Sequence, residues 1–283
     1  MKDVELIASY WTIAGGATPH TDHEYSAMDF KDRVAAIARA GYKGIGLWHA
    51  DVEHTLKSYT HEDMKQILAD NGIKHLELEF ITGWFSEGEA RRTSDHIRNL
   101  LLEAAEKLGA RHIKIGDFVG DPCPMDKLVE EYSKLCAEGA ERGTKIIFEL
   151  IPWTTPGTLP DVLTMVSQAD APNGGLLLDL WHVHTLKIPH SEIESIPLKY
   201  LQGVELDDGP EEIKGDWTEQ TINHRLLCGD GAFDIKGFIR AIDKAGYNGP
   251  VGIEVLNKDM RENWSLEDLA TRSFDTTIAQ FRP

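Results

Sequence analysis

Residues 145–179, KIIFELIPWTTPGTLPDVLTMVSQADAPNGGLLLD, decide the fold. Two short runs rich in Ile, Leu and Phe, Lys145 to Leu150 and Gly175 to Leu180, flank a Pro- and Gly-punctuated turn and a stretch of helical period, Leu159 to Gln168. A short continuous apolar run bounded by turn residues reads as a strand buried on both faces, and a helix between two such runs makes them parallel neighbours. Both runs also close on an acid, Glu149 and Asp179, where burial would penalise a charge.

The same unit recurs in both directions. Further strands are expected near Leu6 to Tyr10, Gly44 to His49, His75 to Phe80, His112 to Asp117, Leu201 to Leu206 and Val251 to Leu256, which with the first two makes eight. Helical segments fall near Asp29 to Ala40, His61 to Ala69, Glu89 to Leu108, Met125 to Glu141, Asp234 to Ala245 and Ser265 to Gln280, with a weak unit at Glu192 to Ile196. Gly41, Gly72, Gly109, Gly143 and Gly246 each follow a helical run where a left-handed cap is expected, and Ser265 with Asp268 resembles a capping box.

Eight such units over 283 residues predict one α/β domain spanning 1–283, a closed (β/α)8 barrel, because closure removes sheet edges. A doubly wound open sheet is the alternative. It is disfavoured because no G-x-G-x-x-G follows the first strand, where Gly15 and Gly16 sit in a long polar loop. AGYKGIGLW at 40–48 echoes AGYNGPVGIEV at 245–255, as repeated units of one barrel would.

Composition narrows the function. With 29 basic and 47 acidic residues the formal charge is −18, a field that repels phosphate backbones and anionic membrane surfaces, so neither nucleic acid nor a membrane is expected as a partner. Cys123, Cys136 and Cys228 are too few and scattered for a disulfide framework or a thiolate zinc site. No run approaches the roughly 18 to 20 apolar residues of a membrane span and MKDVELIASYW has no signal-peptide stretch, so a cytoplasmic protein is expected.

Acids close four successive strands: Glu149, Asp179, Glu205 and Glu254. In such a barrel the strand ends build the reaction site, and four converging carboxylates repel unless a positive charge sits among them. No lysine lies at the ends of strands five to eight, so a divalent cation held by these four acids is expected. Oxygen donors favour Mg²⁺ or Mn²⁺, and His182, three residues after Asp179, shifts the expectation to Mn²⁺, with Mg²⁺ or Co²⁺ as alternatives. Trp11, Trp48, Trp84, Trp153 and Trp181 fall near strand ends or rim loops and suggest an aromatic-lined pocket for a sugar face or an aglycone. Candidate substrate contacts are His49, Trp11 and Trp181, while Arg225, in the long loop after strand seven, reads by itself as a solvated charge; the long segment after strand one, with His20 and His23, suits a lid or a homo-oligomer contact equally.

AGYKGIGLWH, FELIPWT, GLLLDLWHVH, GVELDDG and Arg225 leading to CGDGAFDIKGFIRAIDKAGYNGPVGIEV together resemble the sugar phosphate isomerase/epimerase family of xylose-isomerase-like TIM barrels. The resemblance implies a divalent metal held by acids on strands five, six and eight and by a seventh-strand residue that is often His. Glu149, Asp179 and Glu254 match, whereas Glu205 departs, either as a fourth carboxylate ligand or as a substrate contact. It further implies that His182 and Arg225 contact a small carbohydrate and that Asp208 supports the site. The implied reaction is proton abstraction α to a carbonyl through a metal-stabilised enediolate, with Glu149 and Glu254 as base and acid. Isomerisation or epimerisation of a keto sugar follows, or elimination as in inosose dehydratases, dehydroshikimate dehydratases and lyases of oxidised glycosides. A DNA-cleaving relative would need a basic face and a histidine cluster, and a non-catalytic barrel would not need these acids.

Overall fold

The structure is a computed structural model that describes residues 3–282; residues 1, 2 and 283 of the expected domain lie outside the described residues. Eight strands, β1 (Leu6–Ala8), β2 (Gly44–Trp48), β3 (His75–Ile81), β4 (His112–Ile115), β5 (Lys145–Glu149), β6 (Gly174–Asp179), β7 (Leu201–Leu206) and β8 (Val251–Ile253), pair in order, all parallel. β8 pairs with β1, so the sheet closes. Outer helices Phe30–Ala40, His61–Asp70, Gly88–Leu108, Met125–Glu141, Leu159–Ala169, Ile235–Lys244 and Leu266–Gln280 follow the expected segments, and the weak sixth unit is a short helix, His190–Glu194.

The five cap glycines all have positive φ, from 67° at Gly72 to 115° at Gly41. Ser265 accepts a hydrogen bond from the Asp268 N–H at the last helix. β1 and β8 end earlier than their apolar runs. Thr12 explains this: its hydroxyl donates to the Ile253 carbonyl and accepts from the Val255 N–H, replacing the ladder with side-chain bonds. The loops also hold short helices that apolar periodicity does not reveal, among them Tyr10–Ile13, His49–Thr55, Leu180–Thr185 and Trp217–Asn223. With one to two turns each, they are too short to show a period.

Between sheet and helices lies an apolar layer of fully buried side chains such as Ile113, Phe148, Leu178, Phe238 and Ile242. Each contributes about 1.5–3 kcal/mol by leaving water. The interior of the barrel is different, because alternate residues of β3 and β4 bring charge into it. Glu77 meets Arg111 at 2.7 Å and His112 at 3.4 Å, and toward the strand ends Glu79 meets Lys114 at 2.7 Å. Asp179 stands opposite Glu205 in the β6/β7 register, and Glu205 opposite Gly252 in β7/β8, two residues before Glu254. Glycine makes the room: a Cβ on Gly252 would lie 2.6 Å from Glu205 Cγ, and one on Gly46 2.9 Å from Glu79 Oε1.

Candidate metal centre and active site

Ligand atoms of Glu149, Asp179, Glu205 and Glu254 all lie within 4.8 Å of one another, and all four residues are buried. Their strands bring them together as the sequence suggested. Asp179 also caps the helix Leu180–Thr185, its Oδ1 accepting from the Trp181 N–H at 2.8 Å. That helical turn carries His182 back over the acids, with Nε2 3.2 Å from Glu149 Oε1 and 3.6 Å from Asp179 Oδ2. Glu149, Asp179 and His182 thus form a second, overlapping group of potential ligands.

No lysine closes strands five to eight, but β4 supplies one to these acids. Lys114, completely buried, places Nζ 2.7 Å from Glu79 Oε2, 2.9 Å from Glu205 Oε1 and 3.3 Å from Glu254 Oε1. Arg225 also enters the cluster: its Nη1 lies 2.6 Å from Asp179, 2.9 Å from Asp207 and 3.3 Å from Glu254, with the guanidinium 5.4 Å from the Trp181 ring centroid. Six carboxylates (Glu79, Glu149, Asp179, Glu205, Asp207 and Glu254) therefore surround two cations, a formal excess of four negative charges.

The electrostatic consequences follow from burial. Desolvation pushes the Glu205 and Asp207 carboxyls well above their ordinary values against the pull of Lys114 and Arg225 respectively, and raises Glu254 to about 8. Glu79 is raised for the same reason, against the pull of Lys114. Burial acts upward on Asp179 too, but Arg225 and His182 outweigh it and hold that carboxyl below its usual value. Lys114 is held charged well above the ordinary lysine range: burial alone would lower it, but Glu205, Glu79 and Glu254 prevail.

Among the described residues two buried carboxylate oxygens have no hydrogen-bond partner, Glu205 Oε2 and Asp207 Oδ1. Glu205 is held through its other oxygen by Ser9 Oγ at 2.5 Å and by Lys114, which leaves Oε2 free. An unbalanced negative charge, a hard oxygen donor set and an orphaned buried carboxylate oxygen fit a divalent cation. Among the described residues, His182 is the one histidine in these ligand groups.

Above the acids opens a cavity of about 340 Å³. Glu149, Glu254, His182, Arg225 and Glu79 line it, beneath walls of Trp11, Trp48, Phe80, Phe118, Trp153 and Trp217. Pro19, His20 and Glu24 of the segment after β1 line it too, and Glu24 accepts from Trp48 Nε1 at 3.1 Å, which ties that segment to the wall. Of the expected substrate contacts, Trp11 and Arg225 reach the cavity, whereas Trp181 and His49 do not line it. Trp181 is completely buried beneath Arg225, and His49 packs beside Trp48 with ring centroids 4.8 Å apart. Trp84 is core, donating to the Gly116 carbonyl.

Asp208 folds the following loop, accepting from the N–H groups of Gly229, Gly231 and Phe233 at 2.9–3.0 Å. Glu79, Lys114, Asp207, Phe80 and Trp217 belong to the site without having been foreseen. A signal exists for two of them: HLELEF and HIKI alternate polar and apolar residues, which marks an inward polar row in a barrel strand.

A family profile described as xylose isomerase-like TIM barrel matches residues 34–274. The chain is similar to 3-dehydroshikimate dehydratase of Pseudomonas aeruginosa, 27% identical over 241 residues, which is 81% of this chain and 36% of that protein. It thus spans about a third of the length of that relative. An inosose isomerase of Halalkalibacterium halodurans is 22% identical over 232 residues, 79% of this chain and 80% of its own length. Among solved structures, an IolI protein with a bound zinc atom superposes with TM-score 0.83 at 18% identity, covering 98% of this chain and 97% of that one. D-Allulose 3-epimerase from Methylomonas sp. gives 0.71 at 16%, with the same coverage. At these identities the structural likeness establishes the fold.

Proposed function

The chain belongs to the xylose isomerase-like TIM barrel family, and from that premise we propose that it is a divalent-metal-dependent sugar isomerase or epimerase acting on a keto sugar or related polyol by proton abstraction α to a carbonyl. The observation that carries this reading is the convergence of four strand-end carboxylates within 4.8 Å at the floor of a cavity, with a charge excess that two protein cations leave unbalanced. Glu149, Asp179, Glu205 and Glu254 would hold the ion, with Mn²⁺ preferred over Mg²⁺ or Co²⁺. A divalent cation there supplies electrostatic stabilisation of the negative charge that develops when a carbon acid next to a carbonyl is deprotonated.

The chain's own groups divide the remaining work. Glu149 and Glu254 line the cavity while Asp179 and Glu205 do not, so the first pair can reach a substrate carbon and serve as base and acid. His182, with Nε2 on Glu149, fixes that carboxylate and faces the cavity beside it. Arg225 holds Asp179, Asp207 and Glu254 in place and meets the substrate from the floor. Aromatic side chains around the mouth suit the apolar face of a ring and exclude water.

Similarity to two Pseudomonas dehydratases at 27–28% identity supports a second reading, a lyase in which the same deprotonation expels a β-hydroxyl or aglycone. One experiment tests both. Keto sugars, inososes and 3-oxo-glycosides are incubated with the Mn²⁺-loaded protein in D₂O and followed by NMR. Exchange of the α-proton, lost by about 10²–10⁴-fold in Glu149→Gln and Glu254→Gln and on chelation, is expected. No exchange with any of these compounds would end both readings.

A further inference from the structure

Charges around the cavity bear on a property the enolising reading leaves open, the charge of the substrate. Four carboxylates line the cavity, Glu24, Glu79, Glu149 and Glu254, and the sole arginine or lysine among its lining residues is Arg225. Most of the Arg225 donors are already engaged. Its Nη1 serves Asp179 and Asp207, its Nε donates to the Thr221 carbonyl, and its Nη2 donates to Thr221 Oγ1. Lys114 lies below the lining, shared by three carboxylates.

Glu79 is the acid placed to read a substrate. Its Oε2 accepts from Lys114 at 2.7 Å and its Oε1 from the Tyr10 N–H at 3.2 Å, so both oxygens are fixed, and each keeps a lone pair. Gly46 leaves the space it occupies, and Trp48 lies opposite it in the β2/β3 register. We infer that the cavity selects an uncharged, polyhydroxylated ring ketone over one bearing a carboxylate or phosphate, with Glu79 as the specificity residue that accepts a hydrogen bond from a substrate hydroxyl. An anionic group placed against Glu79 meets carboxylate oxygens instead of a donor, a repulsion that Lys114 behind Glu79 offsets only in part. This inference rests on the proposed enolising function and sets the chain apart from its dehydratase relatives, whose named substrate carries a carboxylate.

The test compares scyllo-inosose with 3-dehydroshikimate, both hydroxylated six-membered ring ketones and the second an acid, on the Mn²⁺-loaded protein. Affinity is read by calorimetry and α-proton exchange by NMR. Inosose is expected to bind at least tenfold tighter. Glu79→Gln should narrow that ratio about tenfold, and Glu79→Asp, which keeps the charge, should preserve the preference; circular dichroism checks that both variants fold. Equal or tighter binding of 3-dehydroshikimate, or an unchanged ratio in Glu79→Gln, would overturn the inference while leaving enolisation standing. Binding of neither ketone with no exchange would overturn the enolising reading, and the inference with it.

Discussion

His49 carries a buried Nδ1 with no hydrogen-bond partner, and burial lowers its pKa to about 4 from 6.5. Between those values the unfolded chain takes up a proton that the folded chain refuses, so stability falls as pH drops through the window from about 6.5 to about 4. The loss attributable to this residue is at most about 3 kcal/mol. His49→Gln should flatten the difference in urea-unfolding free energy between pH 7 and pH 4.5, and an unchanged difference would assign the pH dependence to other groups. At the same scale, strand-end acids are legible because a charge closing an apolar run is conspicuous. Glu79 and Lys114 are less so, since Glu79 is followed by further apolar residues of its strand and Lys114 occupies the third position of a four-residue one. Which cation would neutralise which acid depends on distances across the barrel.

Among the elements, β8 is the most exacting for the site. It has three residues, and its central Gly252 leaves the volume into which Glu205 and Ser9 fit. In Gly252→Ala a Cβ 2.6 Å from Glu205 Cγ and 2.9 Å from Ser9 Oγ must displace one of them. A cost of roughly 1–3 kcal/mol in unfolding free energy is expected, together with weaker Mn²⁺ binding in a chelator competition. Gly16→Ala, which meets nothing within 4 Å, is the control. If the two variants bind Mn²⁺ equally, Glu205 is not seated by this packing. The existence and order of the elements could be read from period and punctuation, whereas the short helices of the loops could not. Trp181 shows the consequence: its place next to a strand end suggests the cavity, but the turn begun at Asp179 buries it beneath Arg225.

For the whole molecule, a cation that binds the folded barrel and not the unfolded chain must stabilise it. At a hundredfold excess over its dissociation constant the gain is about 2.7 kcal/mol. For a chain of 283 residues that corresponds to a rise in melting temperature of roughly 5 °C. Mn²⁺ should produce this shift and EDTA should reverse it. No shift with Mn²⁺, Mg²⁺ or Co²⁺ at millimolar concentration would remove the metal from the proposal. The formal charge of −18 favours such an ion over any polyanion, and among the described residues no helix is long and apolar enough to cross a membrane.

Sequence alone determined the eight βα units, the closed barrel and the four strand-end acids, because hydrophobic period, cap residues and a charge at the end of an apolar run are local signals. Only the tertiary structure decided which side chains meet: Lys114 reaching from β4 to acids on β3, β7 and β8, Arg225 engaged by Asp179 and Asp207, and Glu79 rather than Trp181 facing the cavity. These contacts join residues as far as 140 positions apart. They are set by barrel closure and register, which no local stretch of the chain contains.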